Sequence, residues 1–143
     1  MKLLILNGPN LNLLGLREPA LYGTQDYAAL KAYLHAEAAR IGCEIDVRQT
    51  NHEGVLVDWI QEAYGRFDGI VLNPAAYTHT SIAIADALRA VPVPAVEVHL
   101  TDISRRESYR RVSYTAPACR ASFVGLGFSG YARAMEFLCN NGN

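Results

Sequence analysis

Three groups of residues have the types and spacing that proton-transfer chemistry needs. The stretch Arg17-Glu18-Pro19-Ala20-Leu21-Tyr22-Gly23 sets an arginine a few positions before a tyrosine. A phenol is a poor base, with an ordinary pKa of about 10. A nearby guanidinium stabilises the phenolate and lowers that value. Arg17 and Tyr22 on one loop could form such a pair; the plainer reading is a packed ring and a solvated charge. Glu97 and His99 stand two apart in an apolar run that reads as a strand, so they share one face. A carboxylate beside an imidazole fixes its tautomer and favours the protonated form. That suits a proton donor to a leaving group; the plainer reading is a satisfied core histidine. Amides and hydroxyls gather in Asn7-Gly8-Pro9-Asn10-Leu11-Asn12 and in Asn73-Pro74-Ala75-Ala76-Tyr77-Thr78-His79-Thr80.

These groups must be positioned by an alternation of short apolar runs and helical patterns. Strands are predicted at 3–6, 45–48, 70–72, 95–98 and 122–124. Leu3-Leu4-Ile5-Leu6 is continuously apolar, as in a strand buried on both faces. The spacing of Tyr27, Leu30, Leu34 and Ala38 predicts a helix over 25–40, with Thr24 as N-cap and Gly42 past its end. Further helices are predicted over 55–64, closed by Gly65, from Thr80 or Ser81 to Ala90, and over 130–138. The polar tail Asn140-Asn141-Gly142-Asn143 is expected to fray. Strand–helix alternation implies an α/β fold, a parallel sheet with helices on both faces. Five strands suit the flavodoxin-like order 2-1-3-4-5. In such sheets ligands bind outside the carboxyl ends of the strands, where the polar stretches above fall. Two long connections, 9–23 and 101–119, exceed a minimal wind and are candidate binding loops. The second carries Arg105, Arg106, Arg110 and Arg111.

Composition narrows the function classes. The 143 residues suit a single domain with a real core, half of them hydrophobic. A net charge of -1 argues against a nucleic-acid binder. The apolar start ends at Asn7-Gly8-Pro9-Asn10, too short for a signal peptide. No stretch approaches the ~20 apolar residues of a membrane span. The chain is expected to be soluble and cytoplasmic. Cys43, Cys119 and Cys139 are widely spaced, offer no zinc-ligand pattern, and read as small buried hydrophobes. Gly125-Leu126-Gly127-Phe128-Ser129-Gly130 matches a dinucleotide-binding pattern literally. That site also needs a following strand and an acidic residue ~20 positions on. The sequence reaches Asn143 without either, so a tight turn and close helix packing are expected.

Together these stretches resemble the type II 3-dehydroquinate dehydratases, from about Leu4 to Leu138. The resemblance rests on Leu6 to Asn12, on Arg17-Glu18-Pro19 with Tyr22-Gly23, and on Asn51-His52-Glu53-Gly54. It continues through Asn73 to Ser81, Glu97-Val98-His99-Leu100 and Gly125-Leu126-Gly127. It implies a single catalytic domain over 1–143 and a cofactor-free, metal-free anti dehydration of 3-dehydroquinate to 3-dehydroshikimate through an enolate. It implies Tyr22 as the base at C2, Arg17 as stabiliser of its phenolate, and His99 as proton donor oriented by Glu97. Asn10 would hold a water against the enolate oxygen. Substrate contacts would come from Asn73, His79, Arg110 and the backbone amides of Leu100 and Thr101. Asp86 would reach in from a neighbouring subunit of a dodecamer built from trimers. Asp102 and Ser104 depart from the family, where Asn and His are frequent; the chemistry requires neither.

Two other classes compete. A flavodoxin-like nucleotide or flavin protein would use the glycine-rich turn, and a flavin would colour the protein yellow. A non-catalytic binder of a polyhydroxy carboxylate would have a broken Arg17/Tyr22/His99 set, and here all three are present.

Overall fold

The computed structural model describes residues 1–16 and 25–141. Its strands are β1 (Lys2–Asn7), β2 (Glu44–Gln49), β3 (Gly69–Asn73), β4 (Ala95–His99) and β5 (Ala121–Val124). The main helices are α1 (Tyr27–Ile41), α2 (Glu53–Glu62), α3 (Ile82–Ala90) and α4 (Ser129–Asn141). All strand pairings are parallel, in the order β2-β1-β3-β4-β5. The predicted flavodoxin-like wind is therefore the observed one.

Strand parity divides the core in two. Leu3, Ile5, Val71, Val96 and Val98 face α1 and α4, packing on Leu30, Leu34, Met135 and Leu138. Leu4, Leu6, Ile70, Leu72 and Ala95 face α2 and α3, packing on Leu56, Ile60, Ile84 and Leu88. Alternate side chains of a strand leave opposite faces, so a continuous apolar run feeds both layers. Truncating one such leucine to alanine costs about 2–5 kcal/mol.

Some helix ends differ from the predicted ones, while the predicted caps Gly42 and Ser81 are observed. α1 starts at Tyr27 because the Asp26 side chain accepts the Ala29 N–H at 2.8 Å. The proposed cap Thr24 lies outside the described residues. Gly42 ends the helix at φ 88°. α2 begins two residues early, at Glu53, whose acidic side chain suits the first turn. It stops at Glu62, short of the turn that uses Gly65 at φ 77°. Ser81 caps α3 through the Ile84 N–H at 3.0 Å. Asn140 and Asn141 of the predicted tail continue α4, with Asn141 Nδ2 donating to the Phe137 carbonyl at 3.1 Å, while Gly142 and Asn143 lie outside the described residues.

The three cysteines are half-buried rather than buried. Burial first, and then contact with Cys139, pushes the Cys43 thiol up to about 11. Burial and the Glu97 charge push Cys119 up to about 12. Neither is a thiolate near neutral pH, which removes both from nucleophilic roles.

Candidate active site

The carboxyl ends of β1, β3 and β4 open onto one cleft. Asn10 lines it from the loop after β1, and Asn73 and His79 from the end of β3 and the 3-10 turn that follows. His99, Leu100 and Thr101 line it from the end of β4. Arg106 and Arg110 close it from the 101–119 connection. Among the described residues, the only non-glycine residues at positive φ are Asn10 (70°) and Ala75 (51°), and both line the cleft. Left-handed backbone of this kind persists only where its surroundings hold it.

The β1 and β3 loops hold each other. Gly8 N–H donates to the Asn73 carbonyl at 2.8 Å. A Cβ at Gly8 would stand 2.5 Å from the Pro74 carbonyl oxygen, so only glycine fits there. Asn51 accepts the Asn10 N–H at 3.1 Å and a Gln49 Nε2 hydrogen at 3.1 Å. Its carbonyl accepts the Tyr77 hydroxyl at 2.7 Å. Asn51 thus positions Asn10, a role its place in a motif did not disclose. The glycine-rich turn does similar work on β4. Gly125 (φ 79°) donates to the His99 carbonyl and Gly127 (φ 59°) to that of Leu100, each at 3.0 Å. Gly130 packs on Val98, which a Cβ would approach to 3.3 Å. The expected tight turn and close helix packing are what these glycines provide.

Glu97 and His99 share the α2/α3 face, as the spacing predicts, and both are buried. His99 Nε2 lies 3.0 Å from Glu97 Oε2, in contact but without hydrogen-bond alignment. The carboxylate is caged by hydroxyls. Thr78 donates to Oε1 at 3.1 Å, Ser113 donates to Oε2 at 2.9 Å, and Thr115 donates to Oε1. Burial works to raise the Glu97 carboxyl; His99 and the Thr115 and Ser113 hydroxyls outweigh it and hold it below its ordinary value. Glu97 is therefore an ionised group pressed against an imidazole that faces the cleft.

The segment supplying Ser113 and Thr115 is stapled to the end of β3. Tyr114 N–H donates to the Thr78 carbonyl at 2.7 Å. His79 Nδ1 is 2.7 Å from the Val112 carbonyl, which can only accept, so Nδ1 carries the hydrogen. Burial lowers the His79 pKa despite that bond, so the ring is neutral at neutral pH and its Nε2 accepts. An acceptor of this kind suits a ligand hydroxyl. Arg110 Nε stands 3.0 Å from Glu107 Oε2, again unaligned, and its guanidinium stacks 5.4 Å from the Tyr109 ring centre.

Of the predicted site residues, the cleft brings together Asn10, Asn73, His79, His99, Leu100, Thr101 and Arg110. Glu97 lies directly behind His99. Asp86 does not join them: it lies on α3 with its side chain 72% exposed, 3.9 Å from Arg89. Arg17 and Tyr22 lie outside the described residues. The sequence reading missed Arg106, whose side chain is 15% exposed at the cleft, and the three hydroxyls on Glu97. Clustered arginines in a long connection were the one available signal for Arg106. Asp102 and Ser104 form a local cap, the Asp102 side chain accepting the Ser104 N–H at 3.0 Å and its hydroxyl at 2.6 Å. Neither lysine lies at the cleft: Lys2 opens β1 and stacks on Phe67, and Lys31 sits on α1 against Tyr27. Among the described residues no helix is long and apolar enough to cross a membrane.

Known proteins are similar to this chain over 94–98% of its length. A 3-dehydroquinate dehydratase of Clostridium acetobutylicum is 49% identical over 140 residues, 98% of this chain and 97% of its own. That of a Chelativorans species is 53% identical over 135 residues, 94% and 93% of the two chains. The crystal structure of a type II dehydroquinase from Butyrivibrio crossotus superposes with a TM-score of 0.95 at 45% identity, covering 97% of each chain. The family model described as dehydroquinase class II matches residues 1–139, and the chain belongs to that family.

Proposed function

We propose that the chain is a 3-dehydroquinate dehydratase, a hydro-lyase of the shikimate pathway to aromatic amino acids or of quinate breakdown. It interconverts 3-dehydroquinate and 3-dehydroshikimate by anti elimination of water through an enolate. The Tyr22 phenolate, stabilised by Arg17, takes the C2 proton, and the electron pair moves into the carbonyl. Asn10 holds the water that stabilises the enolate oxygen. Collapse of the enolate expels the hydroxyl, which leaves as water with a proton from His99, oriented by Glu97. Asn73, His79, Arg110 and the backbone amides of Leu100 and Thr101 hold the substrate. The chain acts as a single cytoplasmic catalytic domain, without cofactor or metal.

The observation that carries this reading is the buried Glu97–His99 pair, opening on the cleft that Asn10, Asn73, His79 and Arg110 also line. A carboxylate held ionised behind an imidazole suits proton delivery to a departing hydroxyl. Neutral acceptors and a cation beside it suit a hydroxylated anion. The test is turnover of 3-dehydroquinate, followed by the ultraviolet absorbance of the conjugated enone. Tyr22→Phe should lower kcat by about 10²–10⁴, the usual contribution of a general base. Arg17→Ala should lose a comparable factor and regain activity as pH rises. Near-normal kcat in Tyr22→Phe would remove the phenolate from the mechanism. Loss of activity to chelator, restored by metal, would overturn the metal-free elimination.

Assembly into trimers, and these into dodecamers, is part of the same proposal. The exposure of Asp86 on α3, and its absence from the residues lining the cleft of its own chain, support this reading. Ile82 on the same helix is 60% exposed, and Tyr109, Val112 and Tyr114 are exposed in the connection that lines the cleft. Apolar groups so placed suit a subunit contact. Monomers produced by dilution should lose turnover; fully active monomers would show that each site is complete in one chain.

A further inference from the structure

A second polar cluster lies at the same edge of the sheet, on the opposite face from Glu97. Asn7 and Asn73 are register partners at the ends of β1 and β3, and both are buried. Counting in twos from Leu3 and Ile5, and from Val71, puts both side chains on the α1/α4 side. Tyr131 of α4 comes up between them with no solvent exposure.

The hydrogens of this cluster follow from one fixed donor. The Ala75 backbone N–H can only donate, and it lies 3.1 Å from the Asn73 side chain, so the atom there is Oδ1. Asn73 Nδ2 then faces the Tyr131 hydroxyl and donates to it at 2.9 Å. That leaves the Tyr131 proton for Asn7 Oδ1 at 2.6 Å, and turns Asn7 Nδ2 to the Tyr27 hydroxyl at 3.5 Å. Burial pushes the Tyr131 phenol far above its ordinary value, so it remains a neutral hydroxyl with a single proton to give. Flipping the Asn73 amide would set its N–H against the Ala75 N–H. It would also turn Nδ2 away from the Tyr131 oxygen that accepts from it at 2.9 Å. The amide is therefore held in one orientation. Among the described residues, Nδ2 has no acceptor for its second hydrogen, and Asn73 lines the cleft.

We propose that Tyr131 is a positioning residue for substrate binding: its buried hydroxyl locks the Asn73 amide so that an N–H is presented to an oxyanion in the cleft. The substrate carboxylate is the anion of the right class. The inference rests on the reading of Asn73 as a substrate contact. Tyr131 does not line the cleft and touches no reacting atom, so its effect passes wholly through Asn73.

Tyr131→Phe, Asn73→Ala and the double variant test this, each checked for folding by thermal melting. Tyr131→Phe should raise KM by about 10- to 100-fold, the scale of one hydrogen bond to a charged group. Its kcat should change far less. In the Asn73→Ala background the same substitution should add almost nothing to KM, because the group it positions is gone. Unchanged KM in a folded Tyr131→Phe, or full additivity with Asn73→Ala, would reduce Tyr131 to a packing residue and overturn the proposal. If Tyr131→Phe does not fold, Asn7→Ser takes its place. It frees the Tyr131 proton while keeping the ring, and should raise KM in the same direction; an unchanged KM there overturns the proposal equally. Hydrogen exchange of the Asn73 side-chain amide, followed by NMR, separates this inference from the activity itself. Protection in the wild type and its loss in Tyr131→Phe support the lock even in a protein without dehydratase turnover. Unprotected wild-type amide hydrogens overturn it.

Discussion

The two polar clusters at the carboxyl edge of the sheet solve the same burial problem in opposite ways. On the α2/α3 side a charged carboxylate, Glu97, is held by three hydroxyls and an imidazole. On the α1/α4 side two amides and a phenol, Asn7, Asn73 and Tyr131, close a neutral chain. Both satisfy buried polar groups that would be costly if left alone. They differ in what they leave for the cleft. The charged cluster presents the His99 imidazole, the proposed proton donor. The neutral cluster presents an amide whose hydrogen-bonding sense does not change with pH near neutrality. In the proposed reaction the first serves proton transfer and the second recognition.

The sharpest break between the two is expected in turnover. His99→Ala removes the proposed donor and should lower kcat by about 10²–10⁴, measured by enone absorbance. A kcat within a fewfold of wild type would move the acid elsewhere. The recognition cluster should act instead on KM, as set out for Tyr131.

Stability should divide them next. Glu97→Ala leaves the three hydroxyls that donate to it facing a hole, and a buried donor left without its acceptor costs about 1–3 kcal/mol. A loss under about 1 kcal/mol in chemical denaturation would mean that the cage contributes little.

Their pH dependence should differ as well. The folded-state pKa of Glu97 is depressed. Its stabilisation is therefore complete above the ordinary carboxylate value and is lost as pH falls through the lower folded value. The gap in unfolding free energy between wild type and Glu97→Gln should shrink over that acid window. The folded-state pKa of Tyr131 is raised, so its contribution is present at all pH below the ordinary phenol value, about 10, and is lost only above it. The gap between wild type and Tyr131→Phe should stay flat through the acid window. Parallel pH profiles for the two variants would contradict the assignment of charge to one cluster and neutrality to the other.

The smallest effect is expected at the rim. Asp102 and Ser104 cap a short 3-10 turn, and Asn caps as well as Asp. Asp102→Asn should shift stability by no more than about 0.5 kcal/mol, with kcat near that of wild type. A large drop in kcat would place Asp102 in the working site.

Much of this was legible from residue types alone. The apolar runs announced the strands and their order class, and Leu3 to Leu6 announced a strand covered on both faces. Helix ends were less legible, because side chains such as Asp26 compete to cap them and the winner depends on local geometry. The cysteines looked like core residues from spacing, yet packing left all three half-buried. Arg106 carried no distinguishing mark among its neighbouring arginines.

The sequence by itself determined that Glu97 and His99 share a face, and that Asn7 and Asn73 end strands feeding the same edge. Strand parity is a local property with a period of two, so it can be counted along the chain. Only the tertiary structure decided which hydroxyls would meet Glu97 and which helix residue would join Asn7 to Asn73. Ser113 and Thr115 arrive from a connection without a regular period, and Tyr131 from a helix 58 residues beyond one amide and 124 beyond the other. Hydrogen-bond partners at such separations are chosen by how layers pack, and no local pattern in the chain encodes that choice.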